Sequence, residues 1–139
     1  MSNLKLENVY LSACSFNVFP ENMEKENLKY HLKLVKYEHD EINPSDDTFE
    51  YSAKISFDLM DKIEKPCMEL KCSFSMVYTG KKSSRNLLKE HIVVAHSISY
   101  LRELVSNLTM RSSISVLFID PVNANDLWKE YNPPEHDHV

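Results

Sequence analysis

Apolar and polar side chains alternate along two stretches in the middle of the chain, which is the pattern of β-strands with one dry and one wet face. In residues 49–59 every second position is apolar, and residues 68–78 repeat the pattern. The segment between them, 61–66, is mostly polar and ends in proline. The two runs are therefore predicted to pair as an antiparallel hairpin.

Two further strands are predicted upstream of this hairpin. Residues 28–34 alternate in the same way, and the loop predicted after them, 38–48, carries a turn signal at 43–47. The opening run, 4–19, is less regular, because its apolar residues change parity twice. A β-bulge or a crossing loop is expected to produce this change of face.

After the fourth strand the spacing of apolar residues changes to three and four, which is typical of a helix. It predicts helix through residues 87–108, either in one piece or in two that divide at Ser97 and Ser99, since serine weakens a helix interior. A last short helix is expected after a cap by Asn123 or Asn125.

Strands followed by helices predict an α+β fold: a four-stranded antiparallel sheet with two or three helices packed on one face. The chain has 139 residues, and its 42% apolar composition suits a single domain of that size. We assign residues 1–131 to this domain and residues 132–139 to a polar, flexible C-terminal tail.

Charge and cysteine usage narrow the range of partners and compartments. With 16 basic and 21 acidic residues the net charge is −5, which argues against nucleic acid. No apolar run reaches the roughly 20 residues of a membrane span and no export signal opens the chain, so a cytoplasmic protein without membrane insertion is expected. The three cysteines, Cys14, Cys67 and Cys72, are then expected to be reduced thiols.

Candidate chemistry is sparse. Gly80 is the single glycine, which excludes glycine-rich phosphate loops and glycine-flanked nucleophile turns. The histidines and acids match no motif for a nucleophile with its base, and His136 and His138 offer too few ligands for zinc. The sequence therefore predicts no enzyme, no cofactor and no metal site.

One set of residues near the C-terminus has a recognisable spacing. It comprises Tyr100-Leu101-Arg102-Glu103, Arg111, Asp120-Pro121-Val122-Asn123, Asp126-Leu127 and Tyr131. Together with Val9-Tyr10 and Ser15-Phe16 near the start, this set resembles the bacterial export chaperone SecB, where a Tyr-x-Arg-Glu helix leads into a Pro-Val-Asn turn and a short final helix. The alternating strands between the two ends match in order.

The resemblance implies a homo-oligomer, a tetramer built as a dimer of dimers whose long helices pack at the central interface. The residues expected at that interface are Tyr100, Leu101, Leu104, Val105 and Leu108. A stripe at spacings of three and four equally suits the core of one subunit. The resemblance favours contact between subunits.

Two groups of apolar residues are candidates for client binding. The first, where the opening strand leaves the sheet, is Phe16, Val18, Phe19 and Met23. The second, on the last helix, is Leu127, Trp128 and Tyr131. Both groups could form the walls of a groove for unfolded polypeptides, or they could pack on the sheet as ordinary core.

The leading hypothesis for function is an ATP-independent chaperone that holds unfolded client polypeptides in apolar grooves, for which protein export is one use. The family's longer tail docks on the export motor, and the short tail here puts such docking in doubt. A short tail instead fits an alternative, a dedicated chaperone of an antitoxin in a toxin–antitoxin module. A reading from another class is a structural or ligand-binding oligomer whose apolar patches are all buried.

Overall fold

The computed structural model describes residues 4–23, 30–114, 117, 119 and 121–133. In order, its elements are β1 (Lys5–Val18), a 3-10 turn (Pro20–Asn22), β2 (His31–Ser45), β3 (Thr48–Met60), β4 (Met68–Lys81), a second 3-10 turn (Lys82–Leu87), α1 (Glu90–Met110) and α2 (Ala124–Tyr131). Residues 134–139 of the predicted tail lie outside the described residues. None of the described helices is long and apolar enough to cross a membrane.

All four strands belong to one antiparallel sheet with the order β1-β4-β3-β2. β1 and β2 are therefore the two edges, although they are consecutive in the chain. Between them the chain passes the end of the sheet where β1 and β3 finish and β2 and β4 begin, which we call the crossover end. The predicted hairpin of β3 and β4 is confirmed, since they pair from Thr48 with Lys81 to Met60 with Glu69.

β1 changes face because its register against β4 shifts twice. One shift falls between Leu6 and Asn8, and the other between Leu11 and Ala13. Each shift leaves one residue unpaired, which reverses the side that the following residues face. The β-bulge predicted for this run is confirmed. As a result, one face of β1 carries the apolar residues Leu6, Val9, Leu11, Phe16 and Val18 opposite buried partners on β4.

β2 is longer than its alternation suggests. It continues to Ser45, and the pairing of Ser45 with Thr48 leaves Asp46 and Asp47 as the turn. The prediction of a loop at 38–48 was therefore wrong. Polar side chains do not exclude a strand at the edge of a sheet, where they discourage pairing with other chains.

The core lies between α1 and one face of β3 and β4, as the predicted α+β fold requires. The hydroxyl of Tyr78 on β4 is 2.7 Å from Nδ1 of His96 on α1, and Phe74 contacts Tyr100. Burying a large apolar side chain stabilises a fold by about 1.5–3 kcal/mol. The buried apolar residues from α1 are Val93, Val94, Ile98, Leu101 and Val105.

α1 is one helix of 21 residues without a break at Ser97 or Ser99. Ser97 is fully buried, and its hydroxyl donates a hydrogen bond of 2.7 Å to the carbonyl of Val94. Because this small side chain satisfies its hydroxyl within the helix, it fits the packed side. The two-piece alternative is therefore wrong. The helix also begins at Glu90, later than the apolar spacing suggests, since a 3-10 turn precedes it.

Asn123 caps the N-terminus of α2. Its Oδ1 accepts hydrogen bonds from the backbone N–H groups of Asn125 at 3.0 Å and Asp126 at 3.2 Å. These N–H groups have no acceptor inside the helix, so the cap stabilises its first turn. Of the two caps that the sequence allows, Asn123 is the one used.

The substitution Asn123→Ala should lower the free energy of unfolding by about 1 kcal/mol, because two N–H groups at the start of α2 lose their acceptor. Unfolding in urea measures the change. Asn125→Ala is the matched control, since its exposed side chain does not cap the helix and alanine favours helix. Equal losses in the two variants would contradict the assignment of the cap.

Candidate functional site

The chain leaves β1 through a short turn that is fastened to the loop between β3 and β4. The backbone N–H of Phe19 donates to the carbonyl of Cys67 at 2.7 Å. The side chain of Asn22 donates to the carbonyl of Pro66 at 3.0 Å, and Nζ of Lys62 donates to the carbonyl of Asn22 at 3.0 Å. These bonds fix the start of the crossover relative to the sheet.

Asp61 orders the loop between β3 and β4. One oxygen of its buried carboxylate accepts hydrogen bonds from the backbone N–H groups of Cys67 at 2.8 Å and Met68 at 3.2 Å. Burial, together with this carboxylate, raises the pKa of the Cys67 thiol to about 11. Lys65 has a φ of 50°, the left-handed region that few non-glycine residues adopt. The loop therefore has a defined shape against which the crossover packs.

Of the first predicted client-binding group, Met23 is the most open, with 41% of its surface exposed. Phe16, Val18 and Phe19 are half-buried, and Phe16 and Val18 also pack against the core. The structure thus brings this group to the crossover end. Phe16 and Val18 therefore support the core, whereas Met23 contributes to an apolar surface.

The structure also has a groove beside this group, which the sequence pattern did not predict. Leu32, Met60 and Ile63 line a cavity of about 220 Å³, together with the polar residues His31, Lys33 and Asp58. Ile63 is 72% exposed. Ile63 was the signal for this groove in the sequence, because a large aliphatic side chain is unexpected in a mostly polar loop.

The second predicted group lies on α2, which packs on α1 and β2. Leu127 is buried and belongs to the core. Trp128 is half-buried and sets its ring edge-on to Tyr37, with 5.1 Å between the ring centroids. Tyr131 is exposed, and its hydroxyl accepts a hydrogen bond of 3.1 Å from the backbone N–H of Tyr37. Trp128 and Tyr131 therefore lie beside β2, with part of each ring at the surface.

Tyr37 connects α2 to a row of rings across β2 and β3. Its hydroxyl is hydrogen-bonded to that of Tyr51 at 2.6 Å, and both residues are buried. His39 stacks on Tyr51, and the guanidinium of Arg85 lies 4.8 Å from the centre of the same ring. Burial raises the pKa of both tyrosines above its ordinary value. The two hydroxyls stay protonated at neutral pH, so the tyrosine pair supports α2 without a buried phenolate.

The two predicted groups do not face each other as neighbouring walls. Phe16 and Val18 are on β1, at one edge of the sheet, whereas α2 packs on β2, at the other. Two strands lie between the edges, which places β1 and β2 about 14 Å apart. Along β2, the contact with α2 at Tyr37 lies about 20 Å from His31 at the crossover end.

The groove and the rings of α2 lie on opposite faces of the sheet, because His31, Lys33, Asp58 and Met60 alternate with core-side residues such as Leu34 and Tyr37. Further apolar side chains follow β2 between the two regions. Tyr30 and Leu32 are half-buried, and Val35 is exposed. Val35 falls at a register shift between Leu34 and Lys36, where a bulge turns the side chain out of the ladder. The doublet Leu34-Val35, which interrupts the alternation, was the signal for it. We define the β2 strip as Met23, Tyr30, Leu32, Val35, Ile63, Trp128 and Tyr131.

The stripe predicted for contact between subunits divides into two parts. Leu101 and Val105 are fully buried in the core of the chain. Tyr100, Leu104 and Leu108 are half-buried, and the first two help to line a groove of about 260 Å³ between α1 and the strands β1 and β4. Contact with another subunit therefore remains a prediction for Tyr100, Leu104 and Leu108.

Two residues of the SecB-like motif hold the fold together. Nε of Arg102 donates a hydrogen bond of 3.0 Å to the carbonyl of Ile119, which ties the segment before α2 to α1. Asn123 caps α2, as described above. Both roles are architectural, so the motif reports how the helices are arranged and gives no direct information about a client.

His96 and Tyr78 form a titratable pair in the core. Burial lowers the pKa of His96 and raises that of its partner Tyr78, which keeps this hydrogen-bonded pair neutral between α1 and β4. Within the described ranges, no three side chains of His, Cys, Asp or Glu converge as a metal ion would require. The surface chemistry that stands out is apolar.

Two solved structures are similar to this chain in fold. The SecB-like chaperone Rv1957 of Mycobacterium tuberculosis, in complex with a ChAD peptide from the antitoxin HigA1 (Rv1956), has a TM-score of 0.59, with 15% identity over 86% of this chain and 88% of that one. A protein of unknown function from Streptococcus agalactiae has a TM-score of 0.53, with 9% identity over 86% of this chain and 98% of that one. The expected SecB-like fold is confirmed. No protein-family model and no curated protein sequence matches this chain.

The substitution Tyr131→Phe should lower the free energy of unfolding by about 1 kcal/mol, because the part-buried N–H of Tyr37 loses its acceptor. The amide of Tyr37 should also exchange faster with deuterium. Tyr10→Phe is the control, since Tyr10 is exposed and no described hydrogen bond uses its hydroxyl. Unchanged exchange at Tyr37 in the Tyr131 variant would show that this bond does not form in solution.

Stability should fall in alkali, because buried tyrosines stay protonated in the folded chain while unfolded tyrosines ionise near pH 10. The contribution of a raised pKa is complete below about pH 10 and is lost above it. Tyr37→Phe should reduce the alkaline slope of the unfolding free energy by up to about 1.4 kcal/mol per pH unit. Urea titrations across this range measure the slope. An unchanged slope in the Tyr37 variant would count against the burial of Tyr37.

Proposed function

We propose that this chain is an ATP-independent holding chaperone of the cytoplasm that binds unfolded or non-native polypeptides. The observation that carries this proposal is the β2 strip, a series of apolar side chains at the surface beside a well-filled core. Groups of exposed apolar side chains are typical of sites of interaction with other proteins. The similarity in fold to a SecB-like chaperone that was solved with a bound peptide agrees with this role.

The β2 strip suits an extended segment better than a folded domain. Its two ends, the groove at Ile63 and the rings of Trp128 and Tyr131, lie on opposite sides of the β2 edge. The distance of about 20 Å along the strand corresponds to about six residues of extended chain. A client segment that reached both ends would have to cross the β2 edge, so its two apolar clusters would be separated by more than about six residues.

Apolar burial would supply the affinity for such a segment. It contributes about 25 cal/mol for each Å² removed from water, whatever the sequence that covers the surface. Broad client selection follows, because no fixed pattern of hydrogen bonds has to be matched. The net charge of −5 adds a preference for clients with basic patches.

A dedicated role in a toxin–antitoxin module is the second candidate function. The observation that favours it is the peptide from the HigA1 antitoxin in the similar structure from Mycobacterium tuberculosis. A dedicated chaperone would protect one antitoxin, encoded next to it, and leave unrelated unfolded proteins to aggregate. A general holding chaperone would protect both.

We also propose that the functional particle is a homo-oligomer, a dimer of dimers. The surface offered to a second copy is the outer side of α1 with its half-buried Tyr100, Leu104 and Leu108. Leu11 of β1 is exposed beside the groove that Tyr100 and Leu104 line. Such a pairing would cover this groove and leave the β2 strip on another part of the chain.

The double variant Met23→Ser with Ile63→Ser should weaken client binding at least about tenfold, because each lost contact removes about 1 kcal/mol of apolar burial. The dissociation constant for a fluorescent, unfolded reference peptide measures binding, and the aggregation of a chemically denatured, unrelated protein measures holding. Both side chains are exposed, so the fold should tolerate the changes.

The matched control is Ile42→Ser with Leu87→Ser, since both residues are exposed but lie toward the opposite end of the sheet. This control should bind and hold clients like the wild type. An equal loss in both double variants would show that the crossover end is not the binding site. A wild-type particle that binds neither unfolded chains nor an apolar dye would favour a purely structural oligomer.

A further inference from the structure

Two of the three cysteines are directly opposite each other in the sheet. Cys14 of β1 is the register partner of Cys72 of β4. Opposed residues in an antiparallel ladder carry their side chains on the same face. Cys14 is exposed at the edge strand, and Cys72 is buried one strand further in. The sequence gives no hint of this proximity, because 57 residues separate the two positions in the chain.

The backbone geometry of such a pair suits a disulfide bond. Opposed Cα atoms in an antiparallel pair lie about 4.5 or 5.5 Å apart, within the range of about 4.4–6.8 Å that disulfides span. The Cβ atoms, about 4.5–5.5 Å apart, have to approach by roughly 1 Å. β1 can supply this movement, because it is an edge strand whose register shifts between Leu11 and Ala13, directly before Cys14.

We propose that Cys14 and Cys72 form a reversible intramolecular disulfide, with a small-molecule disulfide such as oxidised glutathione as the oxidant. The thiolate of the exposed Cys14 attacks the oxidant, forms a mixed disulfide and releases one glutathione thiolate. The thiolate of Cys72 then attacks the sulfur of Cys14 and expels the second. Two protein thiols are oxidised, one glutathione disulfide is reduced to two glutathione molecules, and the protons of the protein thiols pass to them.

The surroundings of the two thiols slow their exchange reactions. Burial raises the pKa of both, and that of Cys72 reaches about 12 with a further contribution from the neighbouring Cys14. A disulfide whose thiols have low pKa values is a strong oxidant because its reduced form is stabilised, and the pair of Cys14 and Cys72 lacks that stabilisation. A small thiolate fraction makes exchange slow, so the bond should form gradually and then persist until a reductant removes it.

The third cysteine provides an internal comparison. Cys67 is fully buried in the loop between β3 and β4, where Asp61 accepts the hydrogen bond of its backbone N–H. It lies five residues from Cys72, about 16 Å along the chain direction of β4. Neither of the other two cysteines can reach it without unfolding of the sheet.

The disulfide would fasten the edge strand β1 to β4 next to Phe16 and Val18, which begin the crossover. It closes a long loop that contains β2 and β3, and cross-links of this kind stabilise mainly by restricting the unfolded chain. This inference does not depend on the proposed chaperone function, since it rests on the register of two strands.

The test uses the native, assembled protein incubated with oxidised glutathione, followed by blocking of free thiols and mass spectrometry without reduction. The expected result is a loss of two hydrogen atoms per chain and a single cross-linked peptide pair that contains Cys14 and Cys72. The midpoint of urea unfolding should rise on oxidation and return to its starting value with dithiothreitol. Cys67→Ala should still form the bond, whereas Cys14→Ser should lose it.

Four results obtained with the wild-type protein would overturn the proposal. The test therefore does not depend on the folding of any variant. These four results are a lasting glutathione adduct on Cys14 with Cys72 still free, a bond between two copies of Cys14, a bond to Cys67, and no reaction of the native protein. The urea-unfolded chain, in which all three pairings can form, serves as the reference for peptide detection.

Discussion

The structure depends on the need to cover one face of β3 and β4. Alternate residues of both strands are buried on that face, and Leu34 of the neighbouring strand β2 is buried with them. α1 covers them with Leu101 and Val105 against the core. Because α1 occupies the centre of the face, α2 packs at the β2 edge, where Trp128 meets Tyr37. The position of the candidate site follows from how the core is closed.

The strand order adds a second constraint. β1 and β2 are consecutive but occupy opposite edges, so the chain has to pass the end of the sheet between them. Hydrogen bonds from Phe19 and Asn22 to the β3–β4 loop fix the start of this passage. Apolar residues carried past the end of a sheet cannot all reach its core. Met23 of this passage and Ile63 of the β3–β4 loop both remain exposed, which provides an apolar surface without any opening of the core.

Alternation in the sequence predicted β3, β4 and their pairing, because each strand has one dry and one wet face. It predicted the change of face in β1 but not the length of β2, since an edge strand needs few apolar residues. The serines of α1 misled the prediction, because a hydroxyl such as that of Ser97 can bond within its own helix. The alternation did not identify Ile63 and Val35 as exposed apolar residues. Exposed apolar residues follow no period, and their position depends on a loop and a bulge.

The edge of β2 limits how a client could bind there. A strand added to a sheet needs the outward N–H groups of the edge strand. On β2, the N–H of Tyr37 already donates to the hydroxyl of Tyr131, and the N–H of Glu41 donates to the carboxylate of Asp40. A client strand would have to displace both acceptors, at a cost comparable to the bonds it gained. Binding through side-chain burial leaves these bonds intact, so the proposed client segment would lie beside β2 without joining the sheet.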